Sequence, residues 1–194
     1  MTELLLASAS IRRKELLDQI GVQYQSAPMD IDESVQRNEQ ASDYVDRLAR
    51  EKALAGINAY PDLVVIAADT TVVVAGNILG KPVDEQDARE MLRQLSGSIH
   101  QVLTGVAVAK YINGEVNVES QVVITDVYFS DITDQQIEQY IKTGEPMGKA
   151  GAYGIQGKAA LFVDRIEGSY SNVVGLPLAE TGMLLERFGV LLWP

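Results

Sequence analysis

The alternation of apolar and polar positions divides the chain into strands and helices in a mixed order. Leu4-Leu5-Leu6-Ala7 is wholly apolar and predicts a short buried strand, followed by a Ser8-Ala9-Ser10 turn. Residues 11–20 read as a helix closed by Gly21, and Val22 to Ala27 as a second strand. From Pro28 to about Gln40 the chain is polar and acidic, a loop by composition. Ser42 is placed to cap a helix reaching Tyr60, with Tyr44, Val45, Leu48, Ala49 and Ala53 along one face. Leu63 to Ala68 is an unbroken apolar run that predicts a buried central strand ending at Asp69, with further strand at Val72-Val73-Val74 and a turn at Gly76-Asn77.

Asp84 predicts the cap of a helix running to Leu95. Residues 101–110 and 115–129 predict two long strands joined at Asn113-Gly114, a hairpin signal. Thr133 with Gln136 forms a capping-box pattern opening a helix to Lys142. Residues 143–157 read as an ordered loop, Ala159 to Ile166 as a strand, and Pro177 to Arg187 as the last helix. Mixing βα units with a long antiparallel hairpin implies an α/β or α+β fold: a mixed sheet flanked by helices. The length suits one domain, 1–194, built of two lobes.

Composition narrows the function. With no cysteine, disulfides, zinc-thiolate sites and thiol nucleophiles are excluded. No apolar run reaches the ~18 residues that span a bilayer, and Met1-Thr2-Glu3 lacks the basic flank of a signal peptide, so the expectation is a cytoplasmic protein with no membrane partner. The 27 acidic against 16 basic side chains give a net charge of -11, which repels a nucleic-acid backbone. In so acidic a chain a local cluster of cations needs its own explanation.

Ser8-Ala9-Ser10-Ile11-Arg12-Arg13-Lys14 is such a cluster, at the junction of a strand end and a helix N-terminus. Free N–H groups and the helix dipole there attract anions and oppose cations, so a bound phosphate chain would justify three consecutive basic residues; a solvated basic turn is the alternative. Asp69-Thr70-Thr71 follows the apolar run, where a carboxylate can hold a divalent metal, activate a water, or simply cap a turn. Gly80-Lys81-Pro82 and Gly148-Lys149-Ala150 do not meet the Walker pattern, each being one residue short and lacking Ser or Thr after Lys. They leave two lysines as point charges for phosphates.

Asp30-Ile31-Asp32-Glu33 offers hard oxygen ligands, or an ordinary solvated loop. His100 is the only histidine; it could serve a site, but a lone histidine entering a strand is more often a structural hydrogen-bonding residue. In Lys149-Ala150-Gly151-Ala152-Tyr153-Gly154-Ile155-Gln156-Gly157, small residues allow close ligand approach. Tyr153 offers a face or a hydroxyl, and Gln156 pairs a donor with an acceptor as a pyrimidine edge requires.

In order along the chain, SASIRRKELL (8–17), the DE pair (32–33), LAREKA (48–53), AADTTV (67–72), LGKP (79–82), SGSIHQVLTGV (96–106), EPMGKAGAYGIQG (145–157) and GSYSNVVGLPL (168–178) resemble the Maf family of nucleoside triphosphate pyrophosphatases. Ile11 departs from the proline usual there, which would only preset the first helical turn. The resemblance implies an α/β fold related to the inosine triphosphate pyrophosphatases, with two lobes around a deep cleft, and usually a homodimer. It also implies cleavage between the α and β phosphates with a divalent cation, magnesium or manganese.

By motif, Asp69 matches the catalytic carboxylate; Arg12, Thr70 and Gln156 match positions of substrate choice. Arg13, Lys52 and Lys81 match phosphate contacts, with Ser8 grouped among the substrate contacts, and Glu33 joins Asp69 as the metal carboxylates. KAGAYGIQG resembles the branch acting on dTTP and UTP. The alternatives are a pyrophosphatase for 7-methyl-GTP or another modified nucleotide, and a nucleotide-binding regulator of cell division. All of these assignments require Arg12 and Asp69 to address one ligand.

Overall fold

The computed structural model describes residues 3–193. The elements in order are β1 (Leu4–Leu6), α1 (Ile11–Gln19), β2 (Gln25–Ser26), α2 (Ala41–Ala59), β3 (Val64–Val74), β4 (Asn77–Leu79), α3 (Glu85–Leu95), β5 (Ile99–Ile112), β6 (Glu115–Phe129), α4 (Asp134–Ile141), β7 (Val163–Glu167), α5 (Tyr170–Val174) and α6 (Leu178–Arg187). Among the described residues the strands form a mixed sheet in the order β2-β1-β3-β5-β6-β7, with β4 beside β3. No described helix is long and apolar enough to cross a membrane. The expected α/β class with a mixed sheet is what the chain adopts.

The chain divides into two compact units. The first comprises 1–69, 104–123 and 175–194. In it β1 pairs in parallel with both β2 and the start of β3, Leu4 to Leu6 opposite Val64 to Ile66. Leu5, Ala7, Val65 and Ala67 alternate onto one sheet face and pack with Ala49, Ala53 and Ile57 of α2 and Ala107 and Ala109 of β5. Gly105 is obligatory for this packing, because a Cβ there would lie 2.3 Å from the Val45 carbonyl oxygen.

The second unit comprises 70–103 and 124–174. Here β3 changes partner and pairs antiparallel with β4 through a two-residue turn, Ala75 and Gly76 both at positive φ. Leu92, Leu95, Val127, Phe129, Ile137, Tyr140, Tyr153 and Phe162 belong to its core. α3 is capped by Asp84, whose side chain accepts from Asp87 N at 2.8 Å, and α4 by the Thr133–Gln136 box, both as the sequence predicts.

Four expectations need correction. α2 begins at Ala41 with Gln40 as its cap and no side-chain capping bond, so Ser42 lies within the first turn. β2 is only Gln25–Ser26 rather than the whole of 22–27. Lys158–Phe162 is a 3-10 turn and the strand starts at Val163, since Glu145 accepts from Lys158 N and Ala159 N and takes those donors out of any ladder. Last, Asp69 does not end a strand: β3 runs through it without a break.

Candidate active site

The apolar face of α2 holds Val45, Leu48, Ala49, Lys52, Ala53, Gly56 and Ile57, all buried, at helical spacings of three and four. One member of that stripe is charged. Lys52 retains 7% of its surface, and an ammonium so placed requires anions. It has two: its Nζ lies 2.7 Å from Asp69 Oδ1 and 2.6 Å from Glu33 Oε1. Asp69 reaches it because strand alternation continues the Val65-Ala67 face toward α2. By the same alternation Thr70 is directed to the opposite face of β3.

Glu33 arrives from the acidic loop, which α2 holds in place. Tyr44 donates its hydroxyl to the Glu33 carbonyl at 2.9 Å, and Arg47 donates to the Ser34 carbonyl while pairing with Glu39 at 2.6 Å. Within the loop Asp32 accepts from Ser34 N, which holds the Asp32 carboxyl below the usual range. Burial, then the negative charges of Asp69 and Glu33, push the Tyr44 phenol up to about 12, so it stays a donor at neutral pH.

The cationic turn belongs to the same unit. Ser10 caps α1, no acidic residue occupies the first turn, and Ile11 is exposed at the first helical position. Ser8 Oγ accepts from Ser10 N at 3.1 Å and from Arg13 Nη1 at 3.2 Å, while Arg13 Nε donates to the Gly175 carbonyl at 2.8 Å. Burial lowers the pKa of the Arg13 guanidinium; Asp69 opposes that shift, Arg12 adds to it, and Glu33 opposes it. Arg13 therefore lies within electrostatic reach of Asp69, Glu33 and Arg12 together. Arginine remains a cation through such shifts. Ser8, Arg12, Arg13, Glu33, Lys52 and Asp69 thus gather in the first unit.

Thr70, Lys81 and Gln156 fall in the second unit. The two glycine-lysine loops meet there, since Gly151 N donates to the Gly80 carbonyl at 3.0 Å and a Cβ on Gly151 would lie 2.9 Å from Val72. Lys81 and Gln156 are exposed. Tyr153 is not, and its reading as a ligand-facing residue is corrected. Its hydroxyl lies 2.8 Å from His100 Nε2, and His100, Phe129 and Tyr153 make mutual edge-to-face contacts at 4.8–5.4 Å. Burial lowers the His100 pKa to about 4 and raises that of Tyr153, so both are neutral. His100 is structural, as expected, and its partner is the tyrosine of the glycine-rich loop.

The family profile described as Maf-like protein matches residues 3–188, nearly the whole chain. The chain belongs to the Maf family. Curated Maf relatives are similar end to end. A protein of Hahella chejuensis is 51% identical over 193 residues, 98% of this chain and 94% of its own length; one of Anaeromyxobacter dehalogenans is 54% identical over 187 residues, 96% and 94%. A third, from Escherichia coli O157:H7, is 50% identical over 192 residues, 98% and 95%. All three are named dTTP/UTP pyrophosphatase. Among solved structures, the Ham1 protein of Staphylococcus aureus aligns over 67% of this chain and 73% of its own with a TM-score of 0.46 and 17% identity.

Two supports of this charged cluster carry no role in the sequence reading. Gly175, within GSYSNVVGLPL, supplies the carbonyl that orients Arg13, and Tyr44 steadies Glu33. Only the long matching stretch around Gly175 signalled the first. Tyr44 carried no signal beyond its place on the helix face. In the second unit Asn172, from the same stretch, donates to Val102 O and Thr125 Oγ1 and stitches β5 to β6.

Proposed function

We propose that this Maf protein hydrolyses dTTP and UTP to the nucleoside monophosphate and pyrophosphate. The observation that carries the reading is the buried Lys52–Asp69 pair, joined by the Glu33 carboxylate, with Arg13 in electrostatic reach of both acids. Carboxylates able to activate water beside cations able to neutralise a phosphate chain are what α-phosphoryl hydrolysis requires. The choice of substrate is supported by the names of relatives about half identical over almost the whole chain.

In this mechanism water attacks the α-phosphorus in line and the bond to the α–β bridging oxygen breaks, so that pyrophosphate leaves. Asp69 takes the proton of the attacking water; before substrate binds, Lys52 holds its Oδ1 at 2.7 Å. Arg12 and Arg13 bind phosphate oxygens, and Ser8 orients Arg13. Gln156 reads the dione edge, whose acceptor-donor pattern excludes cytosine.

Glu33 and Asp69 share one ammonium and supply hard oxygen ligands. No group of three or more His, Asp or Glu is gathered among the described residues, and a magnesium-type ion needs only one or two carboxylates beside phosphate oxygens. The donor set fits such an ion. When bound it would offset charge on the phosphate chain.

A panel of triphosphates at one concentration, scored by pyrophosphate release, tests the proposal. dTTP and UTP should exceed CTP and 7-methyl-GTP by at least ~10-fold, the scale of one polar mismatch or more. Preference for 7-methyl-GTP would move the substrate to another branch. No pyrophosphate from any triphosphate would leave a nucleotide-binding regulator.

A further inference from the structure

We propose that Lys52 is a resident cation that keeps the Glu33–Asp69 pair closed to a divalent ion until a triphosphate binds. The inference rests on the function proposed above and adds an order to it. Lys52 Nζ stands within hydrogen-bond distance of one oxygen on each carboxylate, at 2.6 and 2.7 Å. An ion coordinated by both carboxylates would sit at ~2.1 Å from its oxygens and so needs the space that this ammonium fills. The surrounding charge adds to the exclusion. Of the charged groups in mutual reach, the Glu33 and Asp69 carboxylates stand against the Lys52, Arg13 and Arg12 cations, so these five sum to one positive charge.

Such a site repels a bare dication and attracts a polyanion. A triphosphate supplies several negative charges at once. It offers Lys52 a new partner within the swing of its four-carbon stem and frees the carboxylates for the ion that the phosphates bring. Lys52 thereby serves first as a counter-ion and then as a phosphate contact. Its burial on the apolar face of α2 fixes the starting position.

Manganese(II) binding, followed by the electron paramagnetic resonance of the free ion, tests this without turnover. Nucleotide-free protein should retain manganese at least ~10-fold more weakly than protein saturated with α,β-imido-UTP, because a unit charge within ~4 Å of a dication outweighs thermal energy severalfold even at high effective dielectric. Lys52→Met, checked for folding by circular dichroism, should gain nucleotide-free manganese binding by ~10-fold or more, and adding Glu33→Gln should abolish the gain. Low-micromolar manganese binding by nucleotide-free wild-type protein would overturn the gate, and that measurement needs no variant. So would a folded Lys52→Met protein that binds manganese no better than wild type. Either result, beside UTP hydrolysis by the wild-type protein, removes the gate alone, whereas failure of the wild-type protein to bind either UTP or its imido analogue removes the functional reading with it.

Discussion

Each unit buries one polar constellation on a face that the hydrophobic pattern marks as core, and the two differ in kind. In the first, Lys52, Asp69 and Glu33 bring formal charges together, with Tyr44 and Arg47 holding the loop that delivers Glu33. In the second, His100 and Tyr153 share a neutral hydrogen bond inside an aromatic cluster, and Gly151 fits against Val72. Neutral groups of that kind tie a loop to a core at little desolvation cost. Buried charges carry a cost of several kcal/mol per ion that packing alone would not retain, which points to chemistry as the reason for them. The tyrosine of the glycine-rich loop anchors that loop, while Gln156 of the same loop is exposed.

The contrast is sharpened most by Lys52→Met. Leaving Asp69 buried without its ammonium should cost ~3–5 kcal/mol in urea unfolding, and pairing it with Asp69→Asn should restore part of that. A loss under ~1 kcal/mol would mean the pair is solvated rather than buried.

Next in size is the pH dependence contributed by His100. Its folded pKa, about 4, lies below its ordinary 6.5, so the unfolded chain takes up the proton first as pH falls. The stability His100 contributes is complete above 6.5, declines between 6.5 and about 4, and is gone below, ~3 kcal/mol in all. Comparing wild type with His100→Gln across that window should show a flatter profile for the variant. Parallel profiles would place the histidine in contact with solvent. The smallest effect on stability belongs to Gln156→Ala, expected within ~0.5 kcal/mol for an exposed residue, while its ratio of UTP to CTP hydrolysis changes. An unchanged ratio would clear Gln156 of base reading.

Much of this was legible because local chemistry decides it. The Asp84 cap, the Thr133–Gln136 box and the Asn113-Gly114 turn each satisfy backbone groups within a few residues, and the chain obeys them. What depended on distant partners was not. β3 continues past Asp69 because the strand exchanges β1 for β4 as its neighbour, a change that no local pattern reports. Ser42 had the chemistry of a cap but lies one turn position inside the helix, and Tyr153 looked available until His100 and Phe129 closed around it. Lys52 is the instructive residue. It sits four residues after Leu48 and three after Ala49, on a stripe whose other members are uncharged, and a lysine in that register asks for buried anions.

The most direct test replaces Asp69 by Asn, which keeps the shape and removes the base. Pyrophosphate release from UTP should fall ~10²-fold or more while binding of α,β-imido-UTP stays within a few fold of wild type. Turnover near the wild-type rate would contradict the assignment of Asp69 and with it the account of the site.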